Sequence, residues 1–187
     1  MDMKGDDARM RPTCYLALET TGLDAERDEV LKIGLLDDEG RVLLDSLVRL
    51  VRPLRHQHWI GAQAIHGIRP ADVQDAPTLD ALRPRLIERL TEADVVIYNA
   101  AFDTGFLRDE LEQAAAVRCA MRAFAEVTDG VLNSPQRGYR DKSLQRAAAH
   151  VGFEWPRITH RAIHDCQATR AIWHWLQQRP TSREDRA

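Results

Sequence analysis

Residues 95–98 are a run of consecutive apolar side chains, Val-Val-Ile-Tyr, and this run constrains the fold more than any other feature. Strands with one solvated face alternate apolar and polar residues, so a run without alternation indicates a strand buried on both faces, as in the centre of a parallel sheet. Three further strands are predicted before it, at residues 14–18, 30–36 and 42–51. The chain therefore opens on an antiparallel meander and continues into a central parallel strand.

Helical patterns follow these strands. Residues 77–90 begin with Pro-Thr and place their leucines and an isoleucine on one helical face. We predict four more helices, at residues 103–115, 119–128, 143–151 and 163–178. Residues 52–70 and 130–142 are expected to be irregular connections. The order βββαβα followed by helices predicts an α/β sandwich around a mixed sheet.

Length and charge limit the domain count and the classes of partner. The 187 residues suit one domain, which we place at residues 13–179, with a flexible leader at 1–12 and a disordered tail at 180–187. No apolar run approaches the ~20 residues of a membrane span, and the polar start lacks an apolar signal core, so a cytoplasmic protein without membrane contact is expected. The net charge of −3 argues against binding along a long stretch of duplex, which needs many phosphate contacts. It permits the binding of a few nucleotides.

Three carboxylates stand at positions that such a fold can bring together. Glu19 ends the first strand, Asp103 begins the helix after the central strand, and Asp165 lies in the first turn of the last helix, five residues after His160. Hard oxygen ligands of this kind suit Mg²⁺ or Mn²⁺, and two such ions can activate water against a phosphodiester. A histidine beside them can take the proton from that water.

Each of these residues also has a structural explanation. Asp103 could be only a helix N-cap, and Asp165 a favourable charge near a helix N-terminus. Glu19 could be a solvated surface residue, and His160 a hydrogen-bonded histidine without a chemical role. Spacing alone leaves both explanations open.

The sequence motifs around these residues resemble those of the DEDDh 3′→5′ exonuclease family, most of all those of the proofreading epsilon subunit of bacterial DNA polymerase III. The family motif Asp-x-Glu-Thr-Thr-Gly-Leu corresponds to Ala-Leu-Glu-Thr-Thr-Gly-Leu at residues 17–23. The second motif stands as Tyr-Asn-Ala-Ala-Phe-Asp at 98–103, and the third as His-Arg-Ala-Ile-His-Asp-Cys-Gln-Ala-Thr at 160–169. Three motifs in order, spread over nearly the whole chain, make the resemblance specific.

The resemblance implies a ribonuclease-H-like fold with a five-stranded mixed sheet, and a role for each motif residue. Glu19 and Asp165 would ligate the first of two divalent metal ions, Mg²⁺ or Mn²⁺, Asp103 would assist through water, and His160 would be the general base. Eight residues would line the terminal nucleotide: Thr20, Thr21, Gly22, Leu23, His66, Asn99, Phe102 and Phe106. Phe102 and Phe106 could equally be core packing, since helix-face aromatics usually turn inward.

The resemblance also implies the reaction: hydrolysis at single-stranded 3′ ends of DNA or RNA to release nucleoside monophosphates. A polymerase or another nucleic-acid enzyme is the class of protein partner it suggests. Tyr98, where the family usually has histidine, is a departure that affects a contact near the scissile phosphate rather than the metal ligands.

Ala17 is the departure that bears on activity, since the family has there the aspartate that bridges both metal ions. Loss of a residue that only orients a metal ligand lowers metal affinity or activity about 10–100-fold. Loss of a ligand itself therefore predicts little or no exonuclease activity. Two origins are open: a deliberate or recent Asp→Ala substitution, which the survival of the other motif residues favours, or a natural pseudo-enzyme. In the second case the fold would be a non-catalytic module that binds nucleic-acid 3′ ends or a protein partner.

Overall fold

A computed structural model describes residues 11–52, 56–128, 143–156 and 162–179. The predicted tail, most of the predicted leader, the loop at 130–142 and His160 lie outside the described residues. No helix in the described ranges has the length and apolar character needed to cross a membrane.

Five strands form one mixed sheet in the order β3-β2-β1-β4-β5. Their bounds are β1 Thr13–Thr20, β2 Val30–Asp37, β3 Val42–Leu47, β4 Asp94–Ile97 and β5 Ala116–Cys119. The pairs β1–β2 and β2–β3 are antiparallel, whereas β4 is parallel to both β1 and β5. The predicted meander, the buried parallel strand and the five-stranded mixed sheet are thereby confirmed.

Helices pack around this sheet. The described helices are α1 His56–His66, α2 Pro70–Val73, α3 Leu79–Leu90, α4 Ala100–Phe106, α5 Arg108–Leu111, α6 Ala120–Thr128, α7 Leu144–His150 and α8 Ala162–Gln177. Two sequence predictions were wrong here. The connection at 52–70 contains α1, and the single helix expected at 103–115 is two short helices, after which the chain forms the edge strand β5.

The two faces of β1 belong to different parts of the core. Cys14, Leu16 and Leu18 point to one face and pack against the α3 leucines. Tyr15 and Ala17 point to the other face and pack with Ile163 and Cys166 of α8. This alternation follows from the two-residue repeat of a strand, and it directs position 17 towards the beginning of α8.

A β-bulge interrupts the β1–β2 ladder beside Glu19. Glu19 is opposite Lys32, but the next residue, Thr20, is opposite Val30, so Leu31 is an extra residue on β2. Leu31 is fully buried and packs in a separate cluster with Trp59 of α1 and Ile68. The bulge therefore couples the end of β1 to the region of α1 and the turn that follows it.

Candidate active site

The site begins where β1 continues beyond its parallel neighbour. The last β1–β4 pair is Leu16 with Ile97, and β1 runs on for four more residues. Past this point the side-chain carboxylate of Asp103, on α4, lies near enough to the backbone N–H of Leu18 for that group to lower its pKa. Asp103 therefore lies beside the backbone between Ala17 and Glu19, the two positions of the first motif at which the resemblance implies metal ligands.

Asp103 is buried, and its environment makes its ionisation costly. Burial raises the pKa of Asp103 to about 7, although hydrogen bonds from its own N–H and from that of Leu18 oppose the rise. The negative charge of Asp165 adds a smaller contribution to the rise. The helix α4 has Asn99 as its N-cap residue. The N-cap explanation of Asp103 is therefore wrong.

Asp165 is carried to the sheet by a close contact between α8 and β2. Gly34, opposite Ala17 on β2, has no side chain, and the first turn of α8 lies directly over it. The buried thiol of Cys166 donates a hydrogen bond to the Gly34 carbonyl over 3.2 Å, which fixes the helix at this point. Asp165 and Glu19 are both half-buried, so Glu19 is not the fully solvated surface residue that was the alternative.

The predicted metal ligands are of the type that a two-metal centre needs, but there are too few of them. Glu19, Asp103 and Asp165 offer the hard oxygen atoms that Mg²⁺ and Mn²⁺ prefer. However, no three histidine, cysteine, aspartate or glutamate side chains of the described ranges form a cluster that could hold a metal ion. Ala17, at the centre of the region, contributes only a methyl group to an apolar cluster. The described side chains therefore do not fit the family's metal pair.

The predicted nucleotide-binding loop after β1 is organised by a residue that sequence reasoning missed. Asp28 is 4% exposed, and its two carboxylate oxygens accept hydrogen bonds from the Thr21 hydroxyl, over 3.0 Å, and from the Asp24 N–H, over 2.9 Å. A Cβ atom on Gly22 would collide with this same carboxylate. Leu23, at the tip, is 87% exposed, so its apolar side chain is available to a ligand. No motif marks Asp28, and spacing could not have identified it.

His66 is buried at the end of α1, and its tautomer is determined. Its Nδ1 accepts a hydrogen bond from the Ile68 N–H over 3.0 Å, so the neutral ring carries its proton on Nε2. Trp59 holds the same turn by donating from Nε1 to the Ile68 carbonyl over 3.2 Å. The imidazole is thus fixed as a donor at Nε2.

The remaining predicted contacts lie on or beside α4. Asn99 is exposed, and Thr20 is buried with its hydroxyl donating to the Gly22 carbonyl over 2.6 Å. The rings of Phe102 and Phe106 are half-buried, with centroids 5.1 Å apart. Phe106 packs against the main core cluster, which supports its alternative reading as core packing, whereas Phe102 is not among the residues packed there.

Known proteins are similar to this chain in sequence and in fold. The family model RNase_T, described as an exonuclease, matches residues 17–173. The chain belongs to this exonuclease family. The match begins at Ala17 and includes all three motifs, so the motif residues Glu19, Asp103 and Asp165 stand within the family's own region.

Individual members of the exonuclease family are similar over most of the chain. The uncharacterized exonuclease CP81 of Escherichia phage 186 is 33% identical over 175 residues, which cover 84% of each protein. A PolC-type DNA polymerase III of Thermotoga maritima is 30% identical over 90% of this chain, which spans only 12% of that much longer polymerase.

Solved structures confirm the fold. Escherichia coli exonuclease I, crystallised with a dT13 oligonucleotide, superposes with a TM-score of 0.71 over 91% of this chain and 42% of its own, at 18% identity. The fold is therefore ribonuclease-H-like, as the resemblance implied.

Proposed function

We propose that this exonuclease-family chain carries the site of a 3′→5′ exonuclease that acts on single-stranded 3′ ends of DNA or RNA and releases nucleoside monophosphates. The observation that carries the proposal is the position of the Asp103 carboxylate beside the Leu18 N–H, together with the charge effect of Asp165 on Asp103. The first of these relates the second motif to the first, and the charge effect relates the third motif to the second. A cytoplasmic location is part of the proposal.

In the active form of the site, a carboxylate at position 17 would join Glu19, Asp103 and Asp165 in holding two divalent ions, Mg²⁺ or Mn²⁺. Such ions supply an activated water and stabilise the leaving oxygen of a phosphodiester. His160 is proposed as the base that takes the proton from the attacking water. Thr20, Thr21, Gly22, Leu23, His66, Asn99, Phe102 and Phe106 are proposed to line the terminal nucleotide.

Ala17 is proposed to leave the chain with little or no activity. Its methyl group lies in an apolar cluster with Tyr15, Ile163 and Cys166 and offers no oxygen to a cation. Water can fill a coordination position but adds no negative charge to hold a divalent ion. The loss of a ligand is therefore expected to lower activity by more than the 10–100-fold that is typical when a residue that only orients a ligand is lost.

Two similarities support the choice of substrate and partner. Exonuclease I, which shares the fold, has been crystallised with a dT13 oligonucleotide, and the exonuclease-like region of PolC is part of a DNA polymerase. We therefore propose single-stranded nucleic acid as the substrate, and a polymerase or another nucleic-acid enzyme as the class of protein partner.

A non-catalytic role is the second candidate, and the packing of Ala17 favours it. A residue that contributes to the apolar core instead of binding a metal suits a module that binds a 3′ end, or a protein partner, without cutting. The two candidate functions share a fold, but they differ in the expected effect of a carboxylate at position 17: it would restore cutting in an exonuclease and would not do so in a binding module.

The test compares the chain with its Ala17→Asp and Ala17→Asn variants on 5′-labelled ten-nucleotide DNA and RNA, with Mg²⁺, Mn²⁺ or chelator. Metal-dependent shortening from the 3′ end by Ala17→Asp alone would support the exonuclease, and the strand that is cut gives the substrate class. The isosteric asparagine controls for shape without charge. A folded Ala17→Asp variant that binds the strands without cutting them would support the binding module instead.

A further inference from the structure

Glu29, immediately before β2, joins two separate segments of the chain, one through its backbone and one through its side chain. Its carbonyl accepts a hydrogen bond from the Thr21 N–H over 2.9 Å, and its own N–H donates to Thr21 Oγ1 over 3.0 Å. Thr21 belongs to the loop after β1, which is proposed to line the terminal nucleotide. The backbone of Glu29 therefore holds one wall of the proposed nucleotide site.

The side chain of Glu29 holds the segment that follows β3. Its two carboxylate oxygens accept hydrogen bonds from consecutive backbone N–H groups, that of Arg52 over 2.9 Å and that of Val51 over 3.0 Å. Only 16% of the Glu29 side chain is exposed, so these bonds are largely shielded from water. Hydrogen bonds to an ionised acceptor are also stronger than those between neutral groups.

Backbone pairing between the two segments ends before this point. The N–H of Val48 donates to the carbonyl of the bulge residue Leu31 over 2.8 Å, but the next N–H, of Arg49, donates away from β2 to the Pro77 carbonyl over 2.8 Å. Farther along the chain, the Glu29 carboxylate takes the place of a backbone acceptor. The segment after β3 thus depends on a side chain for its attachment to β2.

This segment leads into the second wall of the proposed site. Leu50, next to Val51, packs with Leu31 and Trp59 in one apolar cluster, and Trp59 lies on α1. The same helix ends at His66, which is also proposed to line the terminal nucleotide. Glu29 therefore connects the loop after β1 to the packing that supports α1.

Arg52 adds a second connection between the same parts. Its Nη1 donates to the Glu26 carbonyl over 2.7 Å, and its Nε lies 3.9 Å from Glu29 Oε1. Glu26 belongs to the loop after β1, so this loop and the segment after β3 are bonded at two points. The Arg52 side chain is 51% exposed, so its contribution is expected to be smaller than that of the Glu29 carboxylate.

We propose that Glu29 is a positioning residue, whose carboxylate sets the spacing between the loop after β1 and α1 and so the width of the site for the terminal nucleotide. This inference rests on the proposed function, because that function assigns Thr21 and His66 to the terminal nucleotide. Glu29 acts through the two segments that it joins. Walls held in place before binding reduce the ordering that binding requires, so the carboxylate contributes to affinity and not to the chemical step.

The experiment measures KM and kcat on 5′-labelled dT10 with Mg²⁺ in the Ala17→Asp background. Glu29→Gln keeps the shape of the side chain but replaces one acceptor oxygen with an NH₂ group, which cannot accept a hydrogen bond from a backbone N–H. It is expected to raise KM about tenfold, as for one lost hydrogen bond to a charged group, and to change kcat less than about twofold. Glu29→Asp keeps both acceptor oxygens and should recover part of the loss.

Asp37→Asn is the matched control. Asp37 lies at the other end of β2, its side chain is 14% exposed, and its carboxylate accepts a hydrogen bond from the Arg41 N–H over 2.8 Å. The substitution therefore removes the same kind of contact away from the proposed site. A loss of stability alone reduces the amount of folded enzyme, which lowers the apparent kcat and leaves KM unchanged. Asp37→Asn should accordingly leave KM within about twofold of the parent.

Equal KM values for Glu29→Gln and Asp37→Asn, or a fall in kcat at unchanged KM for Glu29→Gln, would overturn the positioning role. Arg52→Gln changes an exposed side chain and decides the question if Glu29→Gln does not fold. It should raise KM about threefold, and an unchanged KM would count against the proposal.

Fluorescence anisotropy of labelled dT10 separates a failure of this inference from a failure of the proposed function. If Ala17→Asp binds the strand without cutting it, weaker binding by Glu29→Gln than by Asp37→Asn would still support the positioning role, and equal binding would overturn it. If neither the chain with Ala17 nor Ala17→Asp binds or cuts the strand, the proposed function fails, and the positioning role with it.

Discussion

A Cβ atom on Gly34 would lie 2.7 Å from the carbonyl carbon of Ala162, closer than side-chain atoms approach a neighbouring backbone. The absence of a side chain at Gly34 therefore sets the distance between β2 and the start of α8. Asp165 follows Ala162 within one turn of this helix, so the same contact determines where the third motif meets the sheet.

Gly34→Ala is expected to destabilise the protein by about 1–3 kcal/mol, because the methyl group meets backbone that cannot rotate away. The free energy of unfolding in urea measures this. Gly61→Ala is the control: nothing lies within 4 Å of its added Cβ, and the substitution lies inside α1, so it should be neutral or stabilising by up to about 1 kcal/mol. Equal effects of the two substitutions would show that the α8 contact does not constrain the fold.

Ala17→Asp is expected to lower the melting temperature in chelator and to regain it when Mg²⁺ or Mn²⁺ is added. Position 17 is 9% exposed among apolar side chains and near Asp103 and Asp165, so a new carboxylate is both desolvated and repelled. Metal that binds only the folded state raises stability by mass action. The chain with Ala17 should show a much smaller metal response in the same thermal scan, and a variant indifferent to metal would speak against the proposed site.

Asp28→Asn should destabilise the loop after β1 by about 1.5–3 kcal/mol, because an amide cannot accept the hydrogen bonds from both Thr21 and Asp24. In the Ala17→Asp background it should also raise KM for a short oligonucleotide, since this loop presents Leu23. Asp24→Asn is the comparison, because the Asp24 carboxylate meets the Glu26 N–H at an exposed position. An unchanged KM would remove Asp28 from the positioning of substrate.

The pairing of Asp38 predicts a loss of stability in acid. Burial disfavours the ionised carboxylate, but hydrogen bonds from His174 and Tyr15, over 2.8 and 2.6 Å, outweigh it and hold the pKa below its ordinary 3.8. A lowered pKa contributes stability above the unfolded value, and this contribution is lost as pH falls through the folded value.

The melting temperature of Asp38→Asn should therefore fall furthest below that of the parent at pH 5 and above, and the gap should narrow towards pH 3. Asp75→Asn, at an exposed turn position, serves as the control and should track the parent at every pH. A gap between Asp38→Asn and the parent that stays constant with pH would contradict the proposed pairing.

Much of the fold could be predicted from the sequence because local pattern and long-range packing agree there. The strands around Leu16, Ile33 and Val96 consist of apolar residues that are fully or almost fully buried. Helix α1 was missed because its apolar residues do not share a face: Trp59 is buried, whereas Ile60 and Ile65 are more than 60% exposed. The edge strand β5 has only four residues, too few to show a repeat.

The sequence could predict which side chains are candidates for the site, but not which backbone groups lie beside them. Glu19, Asp103 and Asp165 were expected at one end of the sheet, and their convergence at one site stays a prediction. The approach of Asp103 to the Leu18 N–H could not be predicted, since it depends on β4 ending before β1. Lys32 could have been noticed in the sequence, because it is the single charged residue in the apolar run 30–36 and a buried charge needs a partner or a ligand.

The bulge opposite Glu19 and Thr20 has a consequence for changes in chain length. An insertion or deletion among residues 21–29 would alter only the loop, because the ladder below it is already paired in register from Cys14–Asp37 to Glu19–Lys32. A single deletion between Lys32 and Asp37 would instead exchange the two faces of β2 and turn its buried side chains away from their partners. Natural variation in length should therefore accumulate in the loop that is proposed to contact substrate, while the strand that positions Glu19 keeps its length.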